Sequence, residues 1–136
     1  MRIVIDANIL FAALLRKGLT RRLLFNSDIK LLAPGFILAE FIKHRNYLIG
    51  KFDHSPDEFD ELSSNILSVI ELVPDNELEP YLGASKTLVT DLKDCLYIAV
   101  ALKENAAIWS NDGGMKTQRR IKVYTTDELA SEFGLL

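Results

Sequence analysis

Short β-branched runs alternate with helical patterns along the chain, and this alternation constrains the fold more than any other feature. Residues 2–5 are typical of a strand buried on both faces, and further strands are predicted at 29–33, 69–73, 106–110 and 123–125. Helices are predicted at 9–15, 20–25, 34–49, 56–67, 78–89 and 94–103, and after Thr125. Because strands alternating with helices form βαβ units, we predict an α/β fold. The expected architecture is a three-layer α/β/α sandwich with a mostly parallel central sheet, in a single domain of residues 1–136.

Capping and turn residues set the expected boundaries of these elements. Thr20 is a suitable cap for the second helix, and Pro34 suits the first turn of the third. The late apolar helix is expected to begin at Asp94. Gly113 and Gly114 indicate a turn after the fourth strand.

Composition excludes several classes of protein. Hydrophobic residues make up 49% and charged residues 26% of the 136 residues, which is ordinary for a globular domain. A single cysteine excludes an internal disulfide and suits a reducing compartment. No signal peptide is visible and the apolar runs are too short to span a bilayer. We therefore expect a cytoplasmic protein with no membrane association.

Acidic residues occur where predicted strands end or helices turn inward: Asp6, Glu40, Asp94 and Asp112. In an open parallel sheet the ligand site lies beyond the carboxyl ends of the strands, where Asp6 and Asp112 fall. If the fold gathers the four carboxylates with no basic residue between them, they repel one another. Such a cluster is best explained as a cage for a hard divalent cation. The pattern therefore indicates a metal-dependent enzyme acting on phosphates.

Each of these acids except Glu40 also has an ordinary structural explanation. Asp6 and Asp94 are suitable helix caps, and Asp112 can serve the glycine turn. Glu40 interrupts an otherwise apolar stretch, residues 36–42, that must be largely buried. A carboxylate in that position needs a metal or a hydrogen-bond donor as its partner.

Four motifs occur in order along essentially the whole chain: Asp6-x-Asn8, the isolated Glu40, Asp94-x-x-Tyr97-Ile98-Ala99-x-Ala101, and Ile108-Trp109-Ser110-Asn111-Asp112. Together they resemble the PIN-domain nucleases, which include the VapC-like toxin ribonucleases. The resemblance implies that Asp6, Glu40, Asp94 and Asp112 are both the catalytic and the metal-binding residues.

The same resemblance assigns supporting roles. Asn8 would brace the first carboxylate, and Ser110 would hydrogen-bond the site. Asp91, one helical turn before Asp94, is left open as a further site acid, a base behind the ligands or only a cap. The expected cofactor is Mg²⁺ or Mn²⁺, and the expected reaction is endonucleolytic hydrolysis of RNA leaving a 5′-phosphate and a 3′-hydroxyl.

Two groups of basic residues are candidates for contact with RNA phosphates. The first follows Glu40 and the second follows Asp112: Lys43, His44, Arg45; Lys116, Arg119, Arg120. Among the aromatic residues, Trp109 is expected in the core, and Phe36, Phe41 and Tyr97 in the core or at a dimer contact.

The resemblance favours the toxin of a type II toxin–antitoxin pair, a homodimer neutralised by an antitoxin protein. A housekeeping RNA-processing PIN nuclease and a non-catalytic PIN-fold interaction module are the alternatives. A phosphoryl-transfer domain of the haloacid-dehalogenase kind is disfavoured, since it would need an aspartate where this chain has Asn8.

Overall fold

A parallel five-stranded sheet is the centre of the computed structural model, which describes residues 1–136. The strands are β1 (Arg2–Ile5), β2 (Lys30–Pro34), β3 (Ile70–Val73), β4 (Ala107–Trp109) and β5 (Val123–Tyr124). Their order across the sheet is β3-β2-β1-β4-β5, and every neighbouring pair is parallel. The predicted α/β sandwich is therefore confirmed.

Eight helices cover the sheet: α1 (Ala7–Leu15), α2 (Leu19–Leu24), α3 (Phe36–Lys51), α4 (Pro56–Ser68), α5 (Glu79–Leu88), α6 (Leu92–Glu104), α7 (Gly113–Lys116) and α8 (Thr126–Glu132). A short 3-10 helix (Asp75–Leu78) precedes α5. Helix α1 packs against α2, α3 and α4, whereas α6 packs against α5 and lies on β1, β2 and β4. None of the helices is both long and apolar enough to cross a membrane.

The central strand explains why the sheet is covered on both faces. Ile3, Val4 and Ile5 of β1 are fully buried, so side chains on both faces of the strand need apolar cover. Trp109 at the end of β4 is also fully buried, and its indole N–H donates a 3.0 Å hydrogen bond to Thr126 Oγ1. That bond satisfies the one polar group of a large core side chain and ties β4 to the start of α8.

Several predicted boundaries are wrong by one to three residues. Helix α2 is capped by Gly18, and Thr20 lies inside it. Pro34 ends β2 and is buried, two residues past the last β2 residue that pairs with β1, so its missing N–H falls where that pairing has already ended. The pair Gly113-Gly114 opens the short helix α7 rather than an isolated turn.

The connection between strands decides where a site can form. The chain moves outward from β1 through β2 to β3, then returns to place β4 on the other side of β1. At this reversal the loops after β1 and β4 leave the sheet in opposite directions and a crevice opens between them. Asp6 directly follows β1, and Ser110 directly follows β4.

Candidate functional site

A polar pocket of about 260 Å³ lies above the carboxyl ends of β1 and β4. The fold brings all four predicted acids to its wall, although they are spread over more than one hundred positions of the chain: Asp6, Glu40, Asp94 and Asp112. Asp91 also lines it. The crevice expected from the strand order and the acids expected from the sequence therefore coincide.

Asp6 is buried and both of its carboxylate oxygens are held by the protein. Oδ1 accepts a 3.0 Å hydrogen bond from the Ile9 amide, which makes Asp6 the N-cap of α1. Oδ2 accepts a 2.5 Å hydrogen bond from Ser110 Oγ. Ser110 Oγ in turn accepts the amide N–H of Asp112 at 3.0 Å. The serine hydroxyl thus joins the ends of β1 and β4 and fixes the direction of the Asp6 carboxylate.

Asp112 combines a structural contact with a place in the pocket. Its Oδ1 accepts a 2.9 Å hydrogen bond from the Gly114 amide, so it is the N-cap of α7. Burial raises the pKa of Asp6, hydrogen bonds from Ser110 and Ile9 lower it, and the nearby charge of Asp112 raises it further. The cap explanation is therefore correct for Asp6 and Asp112, but it does not remove either of them from the pocket.

Asp91, and not Asp94, is the N-cap of α6. The helix begins at Leu92, and Asp91 is its N-cap, with Oδ1 accepting from the Lys93 amide at 2.8 Å. Asp94 lies within the first turn and is half-buried. The start predicted at Asp94 is wrong, because the polar residues of this first turn hid its helical period.

Carboxylates crowd around Asp94. Burial, together with the charges of Asp91, Asp112 and Asp6, raises the pKa of Asp94 to about 6. Like charges that disturb one another in this way are the electrostatic condition that a divalent cation relieves. The donor set, oxygen atoms only, suits Mg²⁺ or Mn²⁺. No three carboxylate, imidazole or thiol side chains converge tightly enough here to form a complete metal cage.

Glu40 is surrounded differently, and one expectation about it is wrong. Its side chain is buried, Lys93 Nζ lies 3.3 Å from Oε1 and His44 Nδ1 lies 3.7 Å from Oε2. The acids were expected to meet with no basic residue among them, yet Lys93 and His44 both line the pocket. The sequence offered one signal, since Lys93 lies between Asp91 and Asp94 on the same first turn.

Asn8 and Tyr97 also line the pocket. Asn8 is exposed, and the hydrogen bonds that the Asp6 oxygens accept come from the Ile9 amide and Ser110, so a brace from the Asn8 side chain stays a prediction. Tyr97 is buried as expected of a core residue, but its hydroxyl has no hydrogen-bond partner in the protein. Its ring nevertheless lines the pocket.

The predicted RNA-contacting residues are only partly free to act. Arg45 pairs with Asp60 through bonds of 2.6 and 2.8 Å, and Lys116 pairs with Glu128. Arg120 lines a separate hollow together with Ala106 and Ala107 at the amino end of β4, opposite the acids.

Three of the six basic residues form no ion pair: Lys43, Arg119 and Arg120. Lys43 and Arg119 are exposed, and only His44 lines the acidic pocket.

Comparison with known proteins identifies the family. A model of the PIN domain matches residues 4–133. The chain belongs to the PIN domain family. A chain in the crystal structure of VapBC2 from Rickettsia felis, bound to a DNA fragment from their promoter, has the same fold with a TM-score of 0.66 and 19% identity, covering 92% of this chain and 98% of that one. No curated protein matches the chain.

PIN domains are generally nucleases, so membership of the family indicates the class of reaction to expect at the pocket. The fold similarity to VapBC2 at 19% identity concerns architecture alone. The positions of the four acids in this PIN domain come from its own geometry, at the carboxyl ends of β1 and β4 and on the two helices that face them.

The first prediction separates two roles of Asp91: its hydrogen bond as the N-cap of α6 and its negative charge. Asp91→Ala should lower the free energy of unfolding by about 1 kcal/mol, because the Lys93 amide loses its acceptor. Asp91→Asn should keep or slightly raise the free energy of unfolding, since asparagine is an equally good N-cap and a charge beside Asp94 is removed. Urea unfolding of both variants measures the difference. Equal losses in the two variants would show that the charge, and not the cap, is what matters.

The second prediction concerns Asp94 and pH. Its pKa of about 6 lies above the ordinary value of 3.8, so the folded protein binds this proton more tightly than the unfolded chain does. The resulting stability is present at low pH and is lost as the pH rises through about 6. Relative to wild type, Asp94→Asn should therefore gain stability between about pH 4 and pH 7 in EDTA. The exposed Asp53→Asn serves as the matched control, and parallel curves for wild type and Asp94→Asn would contradict the assignment.

Proposed function

We propose that this PIN domain is a metal-dependent endoribonuclease that hydrolyses RNA phosphodiester bonds with Mg²⁺ or Mn²⁺. The observation that carries the proposal is the acid-lined pocket at the strand reversal, where burial and then the charges of Asp91, Asp112 and Asp6 raise the pKa of Asp94 to about 6. Like charges gathered beside the buried Asp6 and the half-buried Asp94 destabilise a protein that binds no cation. The cost is understandable if the site exists to bind a cation.

Different residues of the chain would have different roles in such a site. Asp6, Asp94 and Asp112, with Glu40 beside them, would hold the cation through carboxylate oxygens. Activation of a water molecule and stabilisation of the leaving oxygen are the chemistry that this cation supplies when bound. Ser110 and the Ile9 amide orient Asp6 before any ligand arrives, which limits reorganisation during the reaction. No side-chain nucleophile is needed.

Lys93 gives the pocket a positive group beside its acids. Its ammonium lies 3.3 Å from Glu40, but its side chain is 55% exposed, so it can turn towards a phosphate at the pocket mouth. His44, on the next turn of α3 after Glu40, packs against Phe11 with the two rings tilted by 46° and their centroids 5.1 Å apart. Both residues are better placed than Arg120 to meet RNA near the acids.

We further propose the cellular role of a toxin in a type II toxin–antitoxin pair, acting in the cytoplasm as a homodimer. The fold similarity to a chain of VapBC2 supports this role, and a housekeeping RNA-processing nuclease is the alternative. Helix α3 carries two strongly exposed apolar side chains, Ile42 at 70% and Tyr47 at 64%. Exposed apolar groups of this size on one helix suit contact with a protein partner, either a second copy or an antitoxin.

A non-catalytic PIN-fold module remains the second candidate, favoured by one observation. The ion pair between Glu40 and Lys93 satisfies this buried carboxylate without a metal. If the pair were permanent, Glu40 would be structural and the acids would not form one metal-binding unit. The experiments below distinguish the two functions.

The third prediction tests the metal and the reaction together. Mn²⁺ should raise the melting temperature of the wild-type protein relative to EDTA, because it binds only the folded state. Asp6→Asn, Glu40→Gln, Asp94→Asn and Asp112→Asn should each abolish cleavage of a fluorescent single-stranded RNA while the protein stays folded. Replacing a crowded carboxylate should even raise the melting temperature in EDTA.

The outcomes of this test distinguish a metal-dependent nuclease from a non-catalytic PIN-fold module. An unchanged melting temperature with Mn²⁺ in both the wild type and Asp94→Asn would refute the metal site. Full activity in Glu40→Gln would assign Glu40 to the ion pair with Lys93 alone.

The fourth prediction compares basic residues near to and far from the acids. Lys93→Gln should weaken RNA binding and reduce the dependence of log affinity on log salt by about one unit, as expected for one lost phosphate contact. The double variant Arg119→Gln, Arg120→Gln should change the binding of a short RNA less, because Arg120 lies at the opposite end of β4. Fluorescence anisotropy over a series of salt concentrations measures both. A larger effect of the double variant would move the RNA path to that end of the sheet.

A further inference from the structure

A second hollow, of about 420 Å³, adjoins the acidic pocket and has no part in the site proposed above. Asp91 and Asp94 line both spaces, so the start of α6 stands between them. The rest of the wall comes from the last turn of α5, the residues that follow it, and α7. Ligand sites in proteins occupy roughly 300–1,000 Å³. The space beyond the acids is therefore large enough for a further part of a ligand.

Lys86 is the only basic residue of this second hollow. It is exposed on the last turn of α5 and forms no ion pair, although Asp91 and Asp94 line the same hollow. The stem of a lysine is long and flexible, so the ammonium can enter the hollow from its wall. Lys93, on the acidic-pocket side of the same turn, is instead paired with Glu40. The charge of Lys86 is thus available to an anion.

The other side chains of the second hollow suit a nucleotide better than an inorganic anion. Thr87 and Thr117 lie on its wall, and each hydroxyl donates to the carbonyl three residues earlier, at 2.6 and 2.7 Å. Because those hydroxyl protons are already used, the two oxygens are left to accept hydrogen bonds from a sugar or a base. Leu88 and Val89 add apolar surface to the same wall. One cation, two acceptors and an apolar patch match the phosphate, sugar and base of one nucleotide.

Single-stranded RNA carries a phosphate at every nucleotide, so the phosphate that is cleaved has further phosphates beside it. Asp91 and Asp94 would repel such a neighbouring phosphate unless a positive group lies beyond them. We propose that the second hollow binds the nucleotide next to the cleaved phosphate, with the Lys86 ammonium on the phosphate of that nucleotide. This inference rests on the proposed function and extends the path of the RNA from the acidic pocket across the start of α6.

The fifth prediction tests the charge of Lys86 in the cleavage of a short fluorescent single-stranded RNA with Mn²⁺. Lys86→Gln should raise KM roughly threefold, as expected for one exposed contact between opposite charges, and by a larger factor than it lowers kcat. Lys86→Arg keeps the charge and should keep the KM of the wild type. Lys30→Gln is the matched control, because Lys30 is exposed at the amino end of β2, away from both hollows. Steady-state kinetics measure all three variants.

A double variant shows whether the two lysines contact different phosphates. If Lys93 meets the RNA at the acidic pocket and Lys86 meets it in the second hollow, the free-energy losses of Lys86→Gln and Lys93→Gln should add in the double variant. A loss clearly smaller than the sum would show that both side chains hold the same phosphate. The second hollow would then not be a separate nucleotide site, and the inference would be overturned.

The remaining outcomes separate this inference from the proposed function. An unchanged KM in Lys86→Gln, with a lowered melting temperature, would assign Lys86 to the C-terminal end of the α5 dipole alone and leave the proposed nuclease intact. An equal rise of KM in Lys30→Gln would point to net charge and overturn the second hollow as a site. Absence of Mn²⁺-dependent cleavage by the wild-type protein would overturn the proposed function, and this inference with it.

Discussion

The hydrogen bond from Ser110 to Asp6 is the contact on which the site depends. It spans 104 residues of sequence and joins the ends of two adjacent strands, β1 and β4. The reversal of strand order makes this contact possible, since β1 and β4 become neighbours only because the chain returns across the sheet. Asp6 would otherwise be a buried carboxylate with a single hydrogen bond from Ile9. The bond therefore links the topology of the sheet to the direction of the first acid.

Charge is distributed unevenly in the pocket, and this matters for its chemistry. Asp94 faces other carboxylates and has a raised pKa, whereas Glu40 faces Lys93 and His44. Three aspartates thus form the side with unrelieved repulsion, and the glutamate forms a side already balanced by the protein. A cation arriving in the pocket gains most beside the aspartates. Contact with Glu40 would require competition with Lys93, so the ion pair helps to determine how tightly the metal binds.

The fold could be predicted from the sequence because its signals are local and repeated. Buried strands such as β1, the capping serine of α4 and the capping box of α8 each point to the same α/β arrangement. Which acids line the pocket could also be predicted, since parallel strands end at a common edge. The hydrogen-bond and ion-pair partners of the pocket residues could not be predicted. The ion pair between Lys93 and Glu40 depends on the rotation of α6 relative to α3, and the unpaired hydroxyl of Tyr97 depends on the depth of the pocket.

The same carboxylates cap helices and line the pocket, and the geometry of the sheet explains why. In a parallel sheet a strand leads into a helix whose N-terminus faces the carboxyl edge, as α1 does after β1 and α7 after β4. Helix α6 follows α5 instead, but its N-terminus also lies at the crevice. Asp6, Asp91 and Asp112 accept amide hydrogen bonds there, and the positive ends of the helices favour their charges. Helix caps thus lower the cost of gathering acids that would otherwise repel one another. The cap explanation and the metal-site explanation therefore apply to the same residues. The hydrogen bonds of the caps reduce the destabilisation caused by gathering the acids, and the negative charge that remains around Asp94 would attract a cation.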